Sequence, residues 1–225
     1  MIGTAPPRLS LDFAGQTFEV VGGKALYWPE QGALIVADLH LEKASWFARS
    51  GQMLPPYDSM ATLQTLAILI EATKARQLWC LGDNFHDDDG AARLEPAARA
   101  LLARLTEQLD WRWIIGNHDS ALGGDIGGAI MDEAEVAGLI LRHRAHPSET
   151  RAELSGHFHP KYRGRSRSRA VSRACFVMSE TRLILPAFGA LTGGLTADHP
   201  EILGVAGFNA HALVATQGRL LRFRL

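Results

Sequence analysis

Short apolar runs that stop abruptly at a carboxylate, an imidazole or an amide recur five times in this chain, and they constrain its fold more than any other feature. Ala33-Leu34-Ile35-Val36-Ala37 halts at Asp38-Leu39-His40. Leu78-Trp79-Cys80-Leu81 halts at Gly82-Asp83-Asn84-Phe85-His86-Asp87, and Trp111-Arg112-Trp113-Ile114-Ile115 at Gly116-Asn117-His118-Asp119. Residues 136–141 run into Arg142-His143, and Ala152-Glu153-Leu154-Ser155 into Gly156-His157-Phe158-His159-Pro160. A short, wholly apolar run such as the first suits a strand covered on both faces. Residues 62–75 and 95–109 carry helical patterns between the first three runs, so an α/β protein is expected. Thr17-Phe18-Glu19-Val20-Val21 and Lys24-Ala25-Leu26-Tyr27-Trp28, separated by Gly22-Gly23, read as an opening hairpin. The tail adds short strands over 174–179, 181–185, 212–216 and 219–223.

At 225 residues the chain is long enough for one well-buried core, and a single domain over 1–225 is expected. Lys plus Arg is 23 and Asp plus Glu is 24, a net charge of −1 that excludes a uniformly basic nucleic-acid binder. A local basic patch stays open, because charge acts where it is clustered. With 47% hydrophobic and 21% charged residues, a wholly disordered chain is excluded. No apolar stretch approaches the roughly 20 residues of a membrane-spanning helix. The start, Met1-Ile2-Gly3-Thr4-Ala5-Pro6-Pro7, has no basic end followed by an apolar core. A soluble, cytoplasmic protein without a membrane partner is expected. Cys80 and Cys175 lie in apolar runs and read as buried, reduced core residues, too few for a disulfide framework or a four-cysteine metal site.

In layered α/β proteins ligands bind beyond the carboxyl ends of the strands. Those ends present Asp38, His40, Asp83, Asn117, His118, His143, His157 and His159. Oxygen and imidazole donors without thiolate point to Mn, Fe or Zn, and eight candidates exceed what one open site uses. Two ions are therefore expected, about 3.5–4 Å apart, with a bridging carboxylate and a bridging water that becomes a hydroxide nucleophile at neutral pH. Taken singly, each block has a plainer reading: Asp38 as a helix cap, Gly116-Asn117 as a turn, the run 87–89 as a solvated loop. Position at successive strand ends favours the ligand reading for the first two. The loop reading is preferred for 87–89, with Asp87 behind the site. His143 is preferred to His146, because it directly ends the apolar run.

Taken together, Asp38-Leu39-His40, Gly82-Asp83, Gly116-Asn117-His118-Asp119, His143 and Gly156-His157-Phe158-His159 resemble the signature of the calcineurin-like metallophosphoesterases over residues 33–186. The departure is His86, where that pattern has Asp. Gly82-Asp83-Asn84-Phe85-His86-Asp87 and the tail Leu185-Pro186-Ala187-Phe188-Gly189-Ala190-Leu191-Thr192-Gly193-Gly194 are similar to the bacterial DNA ligase-associated members. The resemblance implies a four-layer αββα sandwich of two mixed sheets flanked by helices. It implies a phosphodiesterase or DNA endonuclease using two divalent ions, Mn foremost, with Fe or Zn also fitting. It further implies DNA repair beside an ATP-dependent DNA ligase, a helicase and an exonuclease. Carried over, one ion takes Asp38, His40, Asp83 and His159, and the other Asp83, Asn117, His143 and His157. His118 protonates the leaving group and Asp119 orients it. The same metal blocks would serve a small nucleotide or cyclic nucleotide phosphoesterase. A non-catalytic, metal-binding assembly subunit is the third reading, which the complete ligand set and His118 disfavour.

Residues 161–173 hold Lys161, Arg163, Arg165, Arg167, Arg169 and Arg173 without an acid. Gly164-Arg165-Ser166-Arg167-Ser168-Arg169 alternates with period two, so an extended chain puts its arginines on one face. Such a face suits a phosphate backbone, with Arg163, Arg165, Arg167 and Arg169 as the contacts. A solvated loop touching nothing is the alternative.

Overall fold

The computed structural model describes residues 7–123, 126–166 and 169–225. Three antiparallel strands, β1 (Arg8–Phe13), β2 (Gln16–Val21) and β3 (Ala25–Trp28), lead into β4 (Ala33–Val36). The sheet then continues in parallel through β5 (Gln77–Leu81), β6 (Asp110–Ile114) and β7 (Ala129–Met131). Parallel neighbours need a crossover. After the short α1 (Lys43–Ala48), α2 (Asp58–Thr73) supplies the first, and α3 (Gly90–Arg93) with α4 (Pro96–Gln108) the second.

The second sheet also has seven strands. It comprises β8 (Glu133–Val136), β9 (Leu139–Arg142), β10 (Glu153–Ser155), β13 (Phe176–Met178), β14 (Arg182–Ile184), β15 (His211–Thr216) and β16 (Arg219–Arg224), in the spatial order β16-β15-β13-β14-β10-β9-β8. β10 runs parallel to both β9 and β14, and the other pairs are antiparallel. A separate two-stranded ribbon, β11 (Lys161–Ser166) with β12 (Arg169–Ala174), stands between β10 and β13 in the chain. α5 (Pro200–Ala206) precedes β15.

Strand alternation makes the layers. In β4 and β5, Leu34, Val36, Leu78 and Cys80 join Leu63, Leu66 and Leu102 of α2 and α4 in one core. Ile35, Trp79 and Leu81, on the opposite face, join Leu141, Leu154, Phe176 and Leu183 of the second sheet. The outer face of that sheet buries Val177, Ile184 and Val214 against Ile202 and Ala206 of α5. Successive side chains of a strand point to opposite faces, so three cores separate four layers: helices, sheet, sheet, helix. The chain is thus a mixed α/β protein with two large sheets packed face to face and flanked by helices.

Two expectations need correction. The run 136–141 is not one strand. It is a hairpin, β8 to β9, turning at Ala137 and Gly138, which both have positive φ (47° and 80°). Two-residue turns of this kind favour Asn-Gly or Asp-Gly, and alanine in the first place hides the signal. The basic segment is likewise a hairpin, in register Arg163↔Ser172, Arg165↔Ala170 and Ser166↔Arg169. Residues directly opposite one another share a face, so the backbone register puts positions 165 and 169 on opposite faces. Chain reversal breaks the single arginine face that simple alternation implies.

Candidate metal centre

β4, β5 and β6 are parallel neighbours, so the loops after them leave from one edge, and the loops after β9 and β10 meet them there. The backbone curls as it leaves each strand. Asp38, His40, Asp83, His157 and His159 all have positive φ, between 44° and 74°, where a side chain other than glycine costs about 1–3 kcal/mol. Five such outliers among the seven anticipated ligands mark a place where the surrounding structure enforces geometry at the expense of stability. The enforcing contacts cross between loops. Asp38 N–H donates to the Gly82 carbonyl at 3.1 Å, and His40 N–H to the Asp83 carbonyl at 2.9 Å. His157 N–H donates to both oxygens of Asp38 (3.1 and 3.0 Å). Close approach also requires glycine. A Cβ on Gly116 would stand 2.2 Å from Asp83 N and Oδ1, and one on Gly82 would stand 2.3 Å from Nδ1 of His143.

Two ligand groups share Asp83, with Asp38, His40, Asp83 and His159 in one and Asp83, His143 and His157 in the other, and a third set, His40, His86 and His118, adjoins them. In the first, His40 Nε2 lies 3.1 Å from His159 Nε2 and 3.8 Å from Asp83 Oδ2, and His159 Nε2 lies 3.4 Å from Asp38 Oδ1. In the second, His143 Nε2 lies 3.4 Å from Asp83 Oδ1, 3.0 Å from Asn117 Oδ1 and 3.0 Å from His157 Nδ1. Atoms bound to one ion at about 2.0–2.2 Å stand roughly 3–3.5 Å apart, so both groups fit a divalent cation. Asp83 turns one oxygen toward each. The tautomers fit too: His143 Nδ1–H donates to the Leu81 carbonyl at 3.1 Å, which leaves the Nε2 lone pair facing the group. Burial, ahead of the neighbouring His159, pushes the pKa of His40 down to about 2. Burial, with His143 beside it, takes His157 to about 4. Both rings are neutral at neutral pH and have a lone pair to offer. His146 is exposed and sits 2.9 Å from the Ser148 hydroxyl, outside either group.

The surroundings of His118 differ from expectation. Its exposed ring does not touch the Asp119 carboxylate; Nδ1 lies 2.9 Å from the His86 carbonyl oxygen, to which Nδ1–H donates. Asp119 is buried and accepts instead from the backbone N–H groups of Asn84 (2.7 Å), Phe85 (3.2 Å) and Gly116 (2.8 Å). It clamps the loop after β5 to the loop after β6. His86 is the neighbour that sequence reading left without a role. Its ring stacks on that of His118 with centroids 5.1 Å apart, and its Nδ1 lies 3.4 Å from His40 Nδ1. Trp46 and Phe47 of α1 pack on the same ring. Asp87 turns away to pair with Arg93 and Arg49, so it does not support the ligands directly.

The ribbon meets this centre at its root. Lys161 and Ser172 share a cavity wall with His159, while Arg163 is exposed and lines a different cleft with Asp198 and Arg224. Arg167 and the side chains of Arg165 and Arg169 lie outside the described residues. Lys24 and Lys43, not among the site residues expected from sequence, also border the centre. Lys24 lines the cavity beside His159, and Lys43 lies near enough to lower the pKa of His40 and His86. Neither stands in a strand-end block, so no local signal marked them.

Two mixed sheets carrying paired imidazole and carboxylate groups at their joined edges define a class of metal-dependent hydrolases. A family model described as calcineurin-like phosphoesterase matches residues 33–201, and the chain belongs to that family. Solved structures similar to it include the Pseudomonas putida nuclease MPE, 30% identical, with 96% of this chain and 100% of that one covered at a TM-score of 0.75. Another is Yfce, a phosphoesterase from E. coli, 15% identical over 72% of this chain and 83% of that one at a TM-score of 0.40. No curated protein matches the chain.

Proposed function

We propose that this protein is a two-metal phosphodiesterase that cuts DNA. Asp38, His40, Asp83 and His159 hold one ion, and Asp83, Asn117, His143 and His157 hold the other. Mn is the foremost candidate, with Fe or Zn also fitting the donor set. The observation that carries this reading is the pair of ligand groups sharing Asp83, one oxygen toward each, with the His118 ring centre 5.2 Å from that of His40. When bound, such a pair of ions polarises a phosphoryl oxygen and lowers the pKa of water toward neutrality. The chain's own residues do the rest. His118 keeps Nδ1–H on the His86 carbonyl, so Nε2 is the atom that carries a proton to the departing alkoxide. The Asp119 clamp keeps the loop that bears His118 in place.

The nuclease in the name of the 30% identical structure supports DNA as substrate. Arg163, Arg165, Arg167 and Arg169 of the basic segment 161–173 are assigned to the DNA backbone, where guanidinium groups grip phosphate by two donors at once. Action in the cytoplasm in DNA repair, beside an ATP-dependent ligase, a helicase and an exonuclease, belongs to the same reading and rests on the resemblance of the Gly82–Asp87 block and of the 185–194 tail. The test is hydrolysis by the Mn-loaded protein of single-stranded DNA, duplex DNA, cyclic nucleotides and aryl phosphate esters in parallel. Cleavage of DNA in preference to cyclic nucleotides is expected. Turnover of cyclic nucleotides without DNA cleavage would replace this reading with a small-molecule phosphoesterase.

A further inference from the structure

Only four of the 23 basic residues are lysines, and three of them, Lys24, Lys43 and Lys161, gather around the metal centre. Among the described residues, Lys74 alone of the four pairs with a carboxylate, Glu71. Lys24 follows the Gly22-Gly23 turn and Lys161 opens β11, so elements far apart in sequence bring them to one cavity of about 220 Å³. His159 forms part of its wall, with Ser172, Thr192 and Gly193. Each ammonium is held by backbone carbonyls of the 186–194 loop. Lys24 Nζ donates to Phe188 O at 3.3 Å and Gly189 O at 3.4 Å, and Lys161 Nζ donates to Thr192 O at 3.2 Å. These carbonyls take two of the three N–H donors of Lys24 and one of those of Lys161, which fixes the ammonium positions but does not neutralise two charges brought together in a half-buried recess. Such an arrangement is unfavourable for the empty protein and favourable for one that receives an anion.

We propose that this cavity is a phosphate subsite, which receives a non-scissile phosphate of the strand whose neighbouring phosphodiester lies at the metal centre. The reading rests on the phosphodiesterase function proposed above and adds a determinant of substrate choice. The cavity shares His159 with the first ligand group, so its occupant adjoins the reacting ester. Two ammonium groups suit a phosphate approaching end-on, since lysine acts as a compact point charge where arginine needs a planar, two-pronged approach. Thr192 and Ser172 place hydroxyl-bearing residues on the same walls. A cyclic nucleotide has no second phosphate to offer, so the cavity selects linear, multiply phosphorylated substrates.

The test compares the Mn-loaded full-length chain on the dinucleotide dTpdT, the same dinucleotide with a 5′- or a 3′-terminal phosphate, and the trinucleotide dTpdTpdT. A second phosphate on one side should lower KM on the order of 10-fold, as expected for a charge-assisted contact. That advantage should shrink toward onefold in Lys24→Met and again in Lys161→Met, and in wild type it should decline as salt rises. A gain for terminal phosphates alone assigns the subsite to phosphate monoesters. A gain for the trinucleotide as well assigns it to the strand interior. An advantage that persists undiminished in both variants, or no advantage in wild type, overturns the proposal. If no phosphodiester is hydrolysed at all, the parent function fails instead. The subsite is then judged by equilibrium binding of fluorescently labelled dTpdT, with and without the terminal phosphate, to the wild-type and variant chains. Thermal melting of both variants separates loss of the subsite from loss of the fold.

Discussion

Asp83 contributes an oxygen to each ligand group, so its removal distinguishes a shared ligand from two independent sites. Asp83→Ala should take metal content from two ions per chain to none, read by elemental analysis after dialysis. Retention of one ion would show that the carboxylate does not bridge. His118 is the complementary case, because it lies beside the groups without belonging to the two that share Asp83. His118→Ala should keep both ions and slow cleavage of DNA on the order of 10²–10⁴-fold, the range for a general acid. On an aryl phosphodiester the loss should be smaller, since p-nitrophenolate leaves without needing the proton. Equal losses on the two substrates would assign His118 to positioning the phosphate. His86 was legible in sequence as a departure from the family pattern. Its contacts with both His40 and His118 were not, because they join the loops after β4, β5 and β6 through space.

At the scale of elements, the loops rather than the strands hold the centre in shape, and Asp119 is their main tie. Its carboxylate accepts three backbone N–H groups, two from the loop after β5 and one from the loop after β6. Asp119→Ala leaves buried donors unsatisfied, at roughly 1–3 kcal/mol. A urea titration should show that loss, and metal affinity should fall with it, since Asn84 and Gly116 flank the proposed ligands Asp83 and Asn117. Unchanged stability would mean that water replaces the carboxylate and that the clamp is dispensable. β4, β5 and β6 could be read from their apolar runs. β1 could have been, because Leu9, Leu11 and Phe13 alternate with polar residues. The β8–β9 turn could not, since Ala137 occupies a position where local chemistry favours Asn or Asp.

Across the whole molecule, charge is nearly balanced at −1, so attraction for a polyanion has to come from local patches. The basic segment and the lysine cavity are the two patches proposed for this, the first to track the backbone and the second to seat a single phosphate. Binding of single-stranded DNA through the ribbon should weaken steeply with salt, by a log–log slope of about −0.7 for each phosphate contacted. Replacing Arg163, Arg165, Arg167 and Arg169 with Ala should flatten that slope and raise the apparent KM for DNA. Salt dependence that survives the four replacements would reduce the ribbon to a solvated hairpin and move DNA recognition to another surface.

The four-layer sandwich was implied by the family resemblance; the sequence by itself determined the alternation of strands and helices and the identities of the residues at the strand ends. Those signals are local: an apolar run, a helical period and a turn residue lie within a few positions of one another. Tertiary structure decided what depends on pairs distant in the chain. It set Asp38 beside His159 and Asp83 beside His143, turned His143 inward and left His146 exposed, and moved Asp119 from the His118 ring to a backbone clamp. It also brought Lys24 and Lys161, far apart in the chain, to one cavity. Hydrophobic patterning fixes which face of an element is buried, but packing between the two sheets fixes which loops meet. The chemistry of this protein lies where they meet.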